Sequence, residues 1–155
     1  MTDLIERLER ATEGSRELDA EIFWLSTVRS DDRPHVTSPV AIGLDEALHF
    51  CTRPAERKAR NLALNPRCAI TTGCNSFGSG FDLVIEGDAE RVREDDSLRR
   101  LADQFTEKSG WEFSVREGGF FTEEGGDALV FRVSPRTVFG FGKGEPFSQT
   151  RWQFT

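Results

Sequence analysis

The sequence contains no tyrosine, one methionine, two histidines and three cysteines in 155 residues. Without tyrosine no phenol is available as a proton donor, and the 13 phenylalanines can fill a core without a polar partner. The cysteines, Cys51, Cys68 and Cys74, are odd in number and irregularly spaced, which matches neither a disulfide framework nor a Cys-x-x-Cys metal pair. Cys51 and Cys68 lie in apolar, strand-like runs and read as buried small residues. Cys74 lies in a Gly/Ser-rich stretch with no evident neighbour to lower its pKa. Neither His35 nor His49 has a recognisable serine or cysteine partner, and no Gly-x-Ser-x-Gly elbow exists, so triad hydrolysis is disfavoured. His49 and Cys51 alternate onto one face of a strand, yet two ligands do not close a zinc site.

Positive charge is also scarce. Twenty Lys and Arg stand against 27 Asp and Glu, a net charge of −7. That balance argues against nonspecific nucleic-acid binding, which rests on neutralising phosphates, and against docking to anionic lipid. No apolar run approaches membrane-spanning length, and Met1-Thr2-Asp3-Leu4 lacks the basic and apolar character of a secretion signal. The expectation is a soluble cytoplasmic protein with no nucleic-acid or membrane partner, built as one domain over 1–155. The carboxylates fall mostly at solvent-facing positions, which suits solubility better than paired acid–base chemistry.

What is present is a pattern of short strands. Leu4, Ile5, Leu8 and Ala11 recur at helical period and predict an N-terminal helix over 2–12, with Ser15 capping a further turn. Phe23 to Val28, the run Val36-Ser38-Val40-Ile42, and Ala47 to Thr52 then predict three strands of an antiparallel meander. Pro39 marks an edge, a bulge or a close approach to the backbone. A helix is expected from Pro54 to Leu64, stopped by Asn65-Pro66, with Ala59, Leu62 and Ala63 packed and Arg57, Lys58, Arg60 and Asn61 largely free. A fourth strand covers Cys68 to Thr72, followed by a Gly/Ser loop over Gly73 to Gly80 that lacks a Walker ending. In the fifth, Phe81, Leu83, Ile85, Gly87 and Ala89 alternate against Asp82, Glu86, Asp88 and Glu90.

A helix follows with Asp95 or Asp96 as N-cap and Leu98, Leu101, Ala102 and Phe105 on one side. Trp111 to Gly126 reads as a long surface excursion without a function legible in its residues, and Leu129 to Phe139 as a sixth strand. The tail over 142–155 is aromatic and suits either a ligand surface or a cover for an open sheet edge. Six or so mainly antiparallel strands with two or three short helices predict a closed or nearly closed barrel.

The richest local signal is Thr52-Arg53-Pro54-Ala55-Glu56-Arg57-Lys58-Ala59-Arg60-Asn61-Leu62. Four cations (Arg53, Arg57, Lys58, Arg60) stand against the single carboxylate of Glu56 in a chain that is otherwise acidic. The segment is either a solvated helix face or an anion site. For a phosphate, Thr52, Arg57, Lys58 and Asn61 would supply a hydroxyl, a guanidinium, an ammonium and an amide where a strand meets a helix.

These phrases, with Trp24-Leu25-Ser26-Thr27-Val28, Asp32-Arg33-Pro34-His35-Val36, Leu48-His49-Phe50-Cys51-Thr52, Asn65-Pro66-Arg67 and Phe147-Ser148-Gln149-Thr150-Arg151-Trp152, resemble the FMN- and F420-binding split-barrel superfamily related to pyridoxamine 5'-phosphate oxidase. The resemblance covers about 22–141. It implies a mainly β, antiparallel, homodimeric split β-barrel with cofactor sites across the dimer interface. It also implies phosphate binding by Lys58 with Arg57 and Thr52. Val36, Thr37, Ser38 and Pro39 would line the flavin or deazaflavin ring, whose reduced form backbone N–H groups can stabilise. The implied function is an oxidoreductase transferring hydride between F420 or FMN and a small organic substrate, with no protein residue required as acid or base. The chain lacks a clearly matched substrate-phosphate site, which disfavours vitamin B6 oxidation. A non-catalytic flavin or F420 carrier or sensor, and a structural barrel without cofactor, are the alternatives. F420, with its long negative tail, would call on Arg53, Arg60 and Lys143 as further cations.

Overall fold

The structure is a computed structural model and describes residues 22–155. The helix expected over 2–12 and the turn capped by Ser15 lie outside the described residues. Ten strands form one sheet: β1 (Trp24–Val28), β2 (Pro34–Thr37), β3 (Ala41–Leu44), β4 (Ala47–Thr52), β5 (Arg67–Thr72), β6 (Phe81–Val92), β7 (Ser114–Arg116), β8 (Gly119–Thr122), β9 (Gly126–Gly142) and β10 (Ser148–Gln153). Helix α1 (Arg57–Leu64) follows β4, and α2 (Asp95–Ser109) follows β6.

Alternation explains the strands. On β6, Phe81, Leu83, Ile85, Gly87 and Ala89 are buried while their neighbours are partly or fully exposed. On β4 nearly every residue is buried, because both of its faces are covered. Leu48 and Phe50 join Phe23, Leu25, Ile70, Leu83, Ile85, Phe131 and Val133 in one core. Cys51 instead packs against a second core of Ile42, Val130, Phe120 and the α2 stripe Leu98, Leu101, Ala102 and Phe105. The 3–4 spacing of that stripe gives α2 one apolar side, which it lays over β3, β7 and β8.

The sheet order is β2-β1-β5-β6-β9-β4-β3, with β10 and β8 added to β9 and β7 to β8. This corrects two expectations. β2 and β3 do not continue a three-strand meander: β2 pairs only β1, β3 pairs only β4, and they end the path at opposite edges. Nor is the sheet closed into a barrel. Six inter-strand gaps of about 4.8 Å would hold the edges of a flat sheet about 29 Å apart. The three residues Ser38, Pro39 and Val40 join those edges and span at most about 14 Å from Thr37 to Ala41. The sheet therefore rolls until its edges approach, but no ladder forms between them. Pro39, which lacks an N–H, sits at that seam.

Other differences are local. Helix α1 starts at Arg57 instead of Pro54, because Arg53 to Glu56 form a turn closed by Glu56 N–H donating to Arg53 O at 3.1 Å. The 111–126 segment is not a loop excursion; β7 and β8 form a hairpin that pairs onto β9 and buries Phe120 completely. The long β6–β9 ladder shifts register between Glu86 and Gly87. There an added Cβ on Gly87 would stand 2.4 Å from Ser134 O, so only glycine lets the two backbones approach. The tail is strand β10, running from Ser148 opposite Gly142 to Gln153 opposite Thr137. Among the described residues no helix is long and apolar enough to cross a membrane.

Candidate active site

Where β4 meets α1, a cleft of about 890 Å³ opens toward the β7–β8 hairpin. Its floor comes from the seam and strand β4: Ser38, Pro39, Val40, Cys51 and Thr52. Arg53, Glu56 and Lys58 form one corner. The facing wall is Gly110, Trp111, Glu112 and Phe113, the turn Thr122 to Gly126, and Ala128. The volume is that of a small-ligand site, with apolar surface beside a few polar groups.

The corner is built by the turn that delays α1. Thr52 is buried at the end of β4, and its hydroxyl donates to Arg53 O at 3.3 Å. Lys58 reaches back to Glu56 in an ion pair and is 12% exposed at its side chain. Burial pushes the Glu56 carboxyl up, but the Lys58 ammonium and the Arg53 N–H outweigh it and hold the group below the usual carboxylate range. Arg53 extends along the cleft: a Cβ placed on Gly125 would lie 3.4 Å from its guanidinium and 2.7 Å from Thr122 Oγ1. The glycine thus leaves room for both. Thr122 Oγ1 accepts the Gly125 N–H at 2.8 Å and shapes that turn.

The facing wall is anchored by aromatic packing. Phe113 stacks on Phe120 at 4.7 Å between centroids and meets Phe105 edge-on at 5.9 Å. Trp111 stands edge-on to Phe113 at 6.2 Å and remains half exposed. One indole face is thus available to a flat ligand.

The eight residues expected at the site divide evenly. Ser38, Pro39, Thr52 and Lys58 line the cleft; Val36, Thr37, Arg57 and Asn61 do not. Asn61 is buried, not free: its amide donates to Thr27 Oγ1 at 3.0 Å, and the two side chains are 2% and 1% exposed. That bond fixes α1 to β1. Val36 projects outward at 55% exposure. Of the further cations, Arg53 lines the cleft and Arg60 is exposed outside it. Lys143 is held elsewhere, by Asp82 at 3.0 Å and by the carbonyl of Cys74.

Residues that sequence reasoning did not assign make up much of the lining: Glu56, Trp111, Phe113 and the Thr122–Gly126 turn. The signal available was the proximity of two aromatics to a glycine-rich turn in a stretch without clear periodicity. The cleft contains no histidine. Burial pushes the Cys51 thiol up to about 11, so it is no nucleophile at neutral pH. His49 is buried away from the cleft, and burial, reinforced by Arg132, lowers its imidazole to about 4. His35 lies opposite Thr27 on β2, lowered by burial and by the charges of Arg29, Arg57 and Lys58. The ionisable side chains that line the cleft are Arg53, Lys58, Glu56, Glu112, Glu123, Glu124 and Cys51.

The family model described as Pyridoxamine 5'-phosphate oxidase matches residues 12–141. No curated protein matches the chain. Among solved structures, General Stress Protein 26 from Bacillus anthracis str. Sterne is 14% identical, with a TM-score of 0.67, over 96% of this chain and 99% of its own. A structure called F420 Reductase is 21% identical, with a TM-score of 0.59, over 79% of this chain and 92% of its own. A heme binding protein from Mycobacterium smegmatis is 18% identical, with a TM-score of 0.66, over 97% of this chain and 58% of its own. At these identities the likeness is one of fold, and the names of those proteins point to different functions. With the family match spanning most of the sequence, the chain belongs to the pyridoxamine 5'-phosphate oxidase family.

Proposed function

We propose that the cleft holds a flavin-type cofactor, FMN or F420, and that the protein is an oxidoreductase acting on a small organic substrate. The observation that carries this reading is the joining of a cationic corner to an aromatic wall within one cleft. A single phosphate at Thr52, Arg53 and Lys58 would meet a hydroxyl, a guanidinium and an ammonium, and charge-assisted bonds of this kind are the strong ones. Lys58 would be shared between that phosphate and Glu56. Arg57 stays an expected contributor to phosphate binding, from outside the present lining. Pro39, Val40, Ala128 and Trp111 supply apolar area for a tricyclic ring, with Ser38 at the seam. Val36 and Thr37, next along β2, would complete that surface where a second copy of the chain meets it.

When bound, such a ring supplies hydride transfer itself. The chain's residues then bind, orient and shield. The absence of a histidine or an activated thiol from the cleft suits a reaction that needs neither. We further propose a homodimer, in which a second copy covers the outward side of β1 and β2, where Trp24 and Val36 are 50% and 55% exposed. Sedimentation of the purified protein tests that arrangement.

Titration of the protein with FMN and with F420, followed by fluorescence quenching, tests the binding reading. It predicts micromolar or tighter affinity for at least one, weakened by Lys58→Ala. Binding of neither removes the proposal. Tight binding without reduction of any acceptor would make the protein a carrier or sensor.

A further inference from the structure

We infer that the wall facing the cationic corner is an anion filter, which admits one phosphate and a neutral or cationic acceptor and rejects any ligand extending further negative charge along it. The inference rests on the flavin-type reading of the cleft and selects among its ligands. Among the described residues Arg53 and Lys58 are the only lysine or arginine side chains in the lining, whereas Glu56, Glu112, Glu123 and Glu124 are all there. Lys58 and Glu56 are paired with each other. Arg53 shares the lining with Glu112, Glu123 and Glu124, none of which enters an ion pair among the described residues.

The consequence follows from distance and screening. Across a single cleft these carboxylates lie within about one Debye length, roughly 8–10 Å, of a ligand's outer end, so their repulsion is felt there. At the inner corner Arg53 and Lys58 offset it for one phosphate. A chain of further carboxylates, such as the long negative tail of F420, would run into the filter. Of the two further cations expected to receive such a tail, both among the described residues, Arg60 lies outside the lining and Lys143 is bound to Asp82. Beside Trp111, a cationic or neutral aromatic acceptor gains both the indole face and the carboxylates. The cleft thus favours FMN, or a deazaflavin without its tail, over full-length F420.

Two experiments test the filter, the first without any cofactor. Trp111 emission, taken as the difference between the chain and its Trp111→Phe variant, is quenched with iodide and with caesium at equal ionic strength. With each ion's Stern–Volmer constant divided by its value for free N-acetyltryptophanamide, caesium should quench about threefold more efficiently than iodide, and the variant Glu112→Gln/Glu123→Gln/Glu124→Gln should remove the difference. Equal normalised quenching by the two ions in the unmodified chain overturns the inference.

The second compares FMN, F420 with its glutamate tail, and F420 stripped of the tail. The tailed form should bind about tenfold more weakly than the stripped form at low salt, the gap closing with added KCl or in the triple variant. Tailed F420 binding as tightly as the stripped form, or more tightly, overturns the filter while leaving the flavin-type reading intact. Binding of none of the three overturns the flavin-type reading and the filter with it.

Discussion

Replacing Asn61 by alanine removes the amide that donates to Thr27 Oγ1 at 3.0 Å, in a place where both side chains are sealed from water. A buried neutral hydrogen bond contributes about 1 kcal/mol net, and a partner left unsatisfied costs about 1–3 kcal/mol more. Asn61→Ala should therefore destabilise the fold by about 2–4 kcal/mol. Thr27→Val keeps the volume but strands the amide, and should cost about 1–3 kcal/mol. The double variant Thr27→Val/Asn61→Ala removes both polar groups together, so its cost should fall short of the sum by about 1 kcal/mol or more. Urea unfolding measures all three, with an unchanged m-value as the condition for reading midpoints as stability. Because Asn61 faces Thr27 and not the cleft, FMN affinity in folded Asn61→Ala should stay within about threefold of the parent. An Asn61→Ala cost below about 0.5 kcal/mol, or strictly additive costs, would refute the latch. A tenfold loss of affinity in a fully folded variant would make Asn61 a ligand contact instead.

The remaining predictions concern pH and packing. His49 is 4% exposed, and its imidazole is lowered from 6.5 to about 4. Above pH 6.5 it is neutral in both folded and unfolded chains; below that the unfolded chain takes a proton that the buried ring refuses until about pH 4. Stability should therefore fall by about 3 kcal/mol between pH 6.5 and pH 4 from this group, and His49→Gln should flatten that limb in pH-dependent urea unfolding. An unchanged slope in the variant would assign the acid loss elsewhere. Gly87→Ala forces a Cβ against Ser134 O at the β6–β9 irregularity and should cost about 1–3 kcal/mol in thermal or urea unfolding. A neutral outcome would mean that the ladder can re-register there.

Most of the strands were legible because their alternation is local: Phe81 to Ala89 shows its buried face in the sequence itself, and so does the stripe of α2. The topology was not. Whether β2 continues into β3 depends on which edges pair, a long-range choice that Ser38-Pro39-Val40 announces only as an interruption. The same limit hid the hairpin of β7 and β8, whose short strands gain their stability from β9 and α2 instead of from their own pattern.

At the site, the basic segment signalled an anion site, but the helical wheel alone misjudged Asn61. A polar residue on a short helix reads as exposed unless its buried partner, here 34 positions earlier, is known. The acidic wall was equally hidden, since Glu112, Glu123 and Glu124 are brought to the cleft only by the hairpin.

The most direct measurement compares the affinities of FMN and riboflavin, which differ by the phosphate alone, for the parent chain and for Arg53→Ala/Lys58→Ala. Charge-assisted bonds contribute about 1.5–3 kcal/mol each, and about 1.4 kcal/mol corresponds to a factor of ten. Calorimetry should therefore find FMN at least about tenfold tighter in the parent chain, and the preference reduced to about twofold or less in the variant. An FMN preference that survives loss of both cations, or no preference in the parent, would contradict the assignment of this corner as the phosphate site.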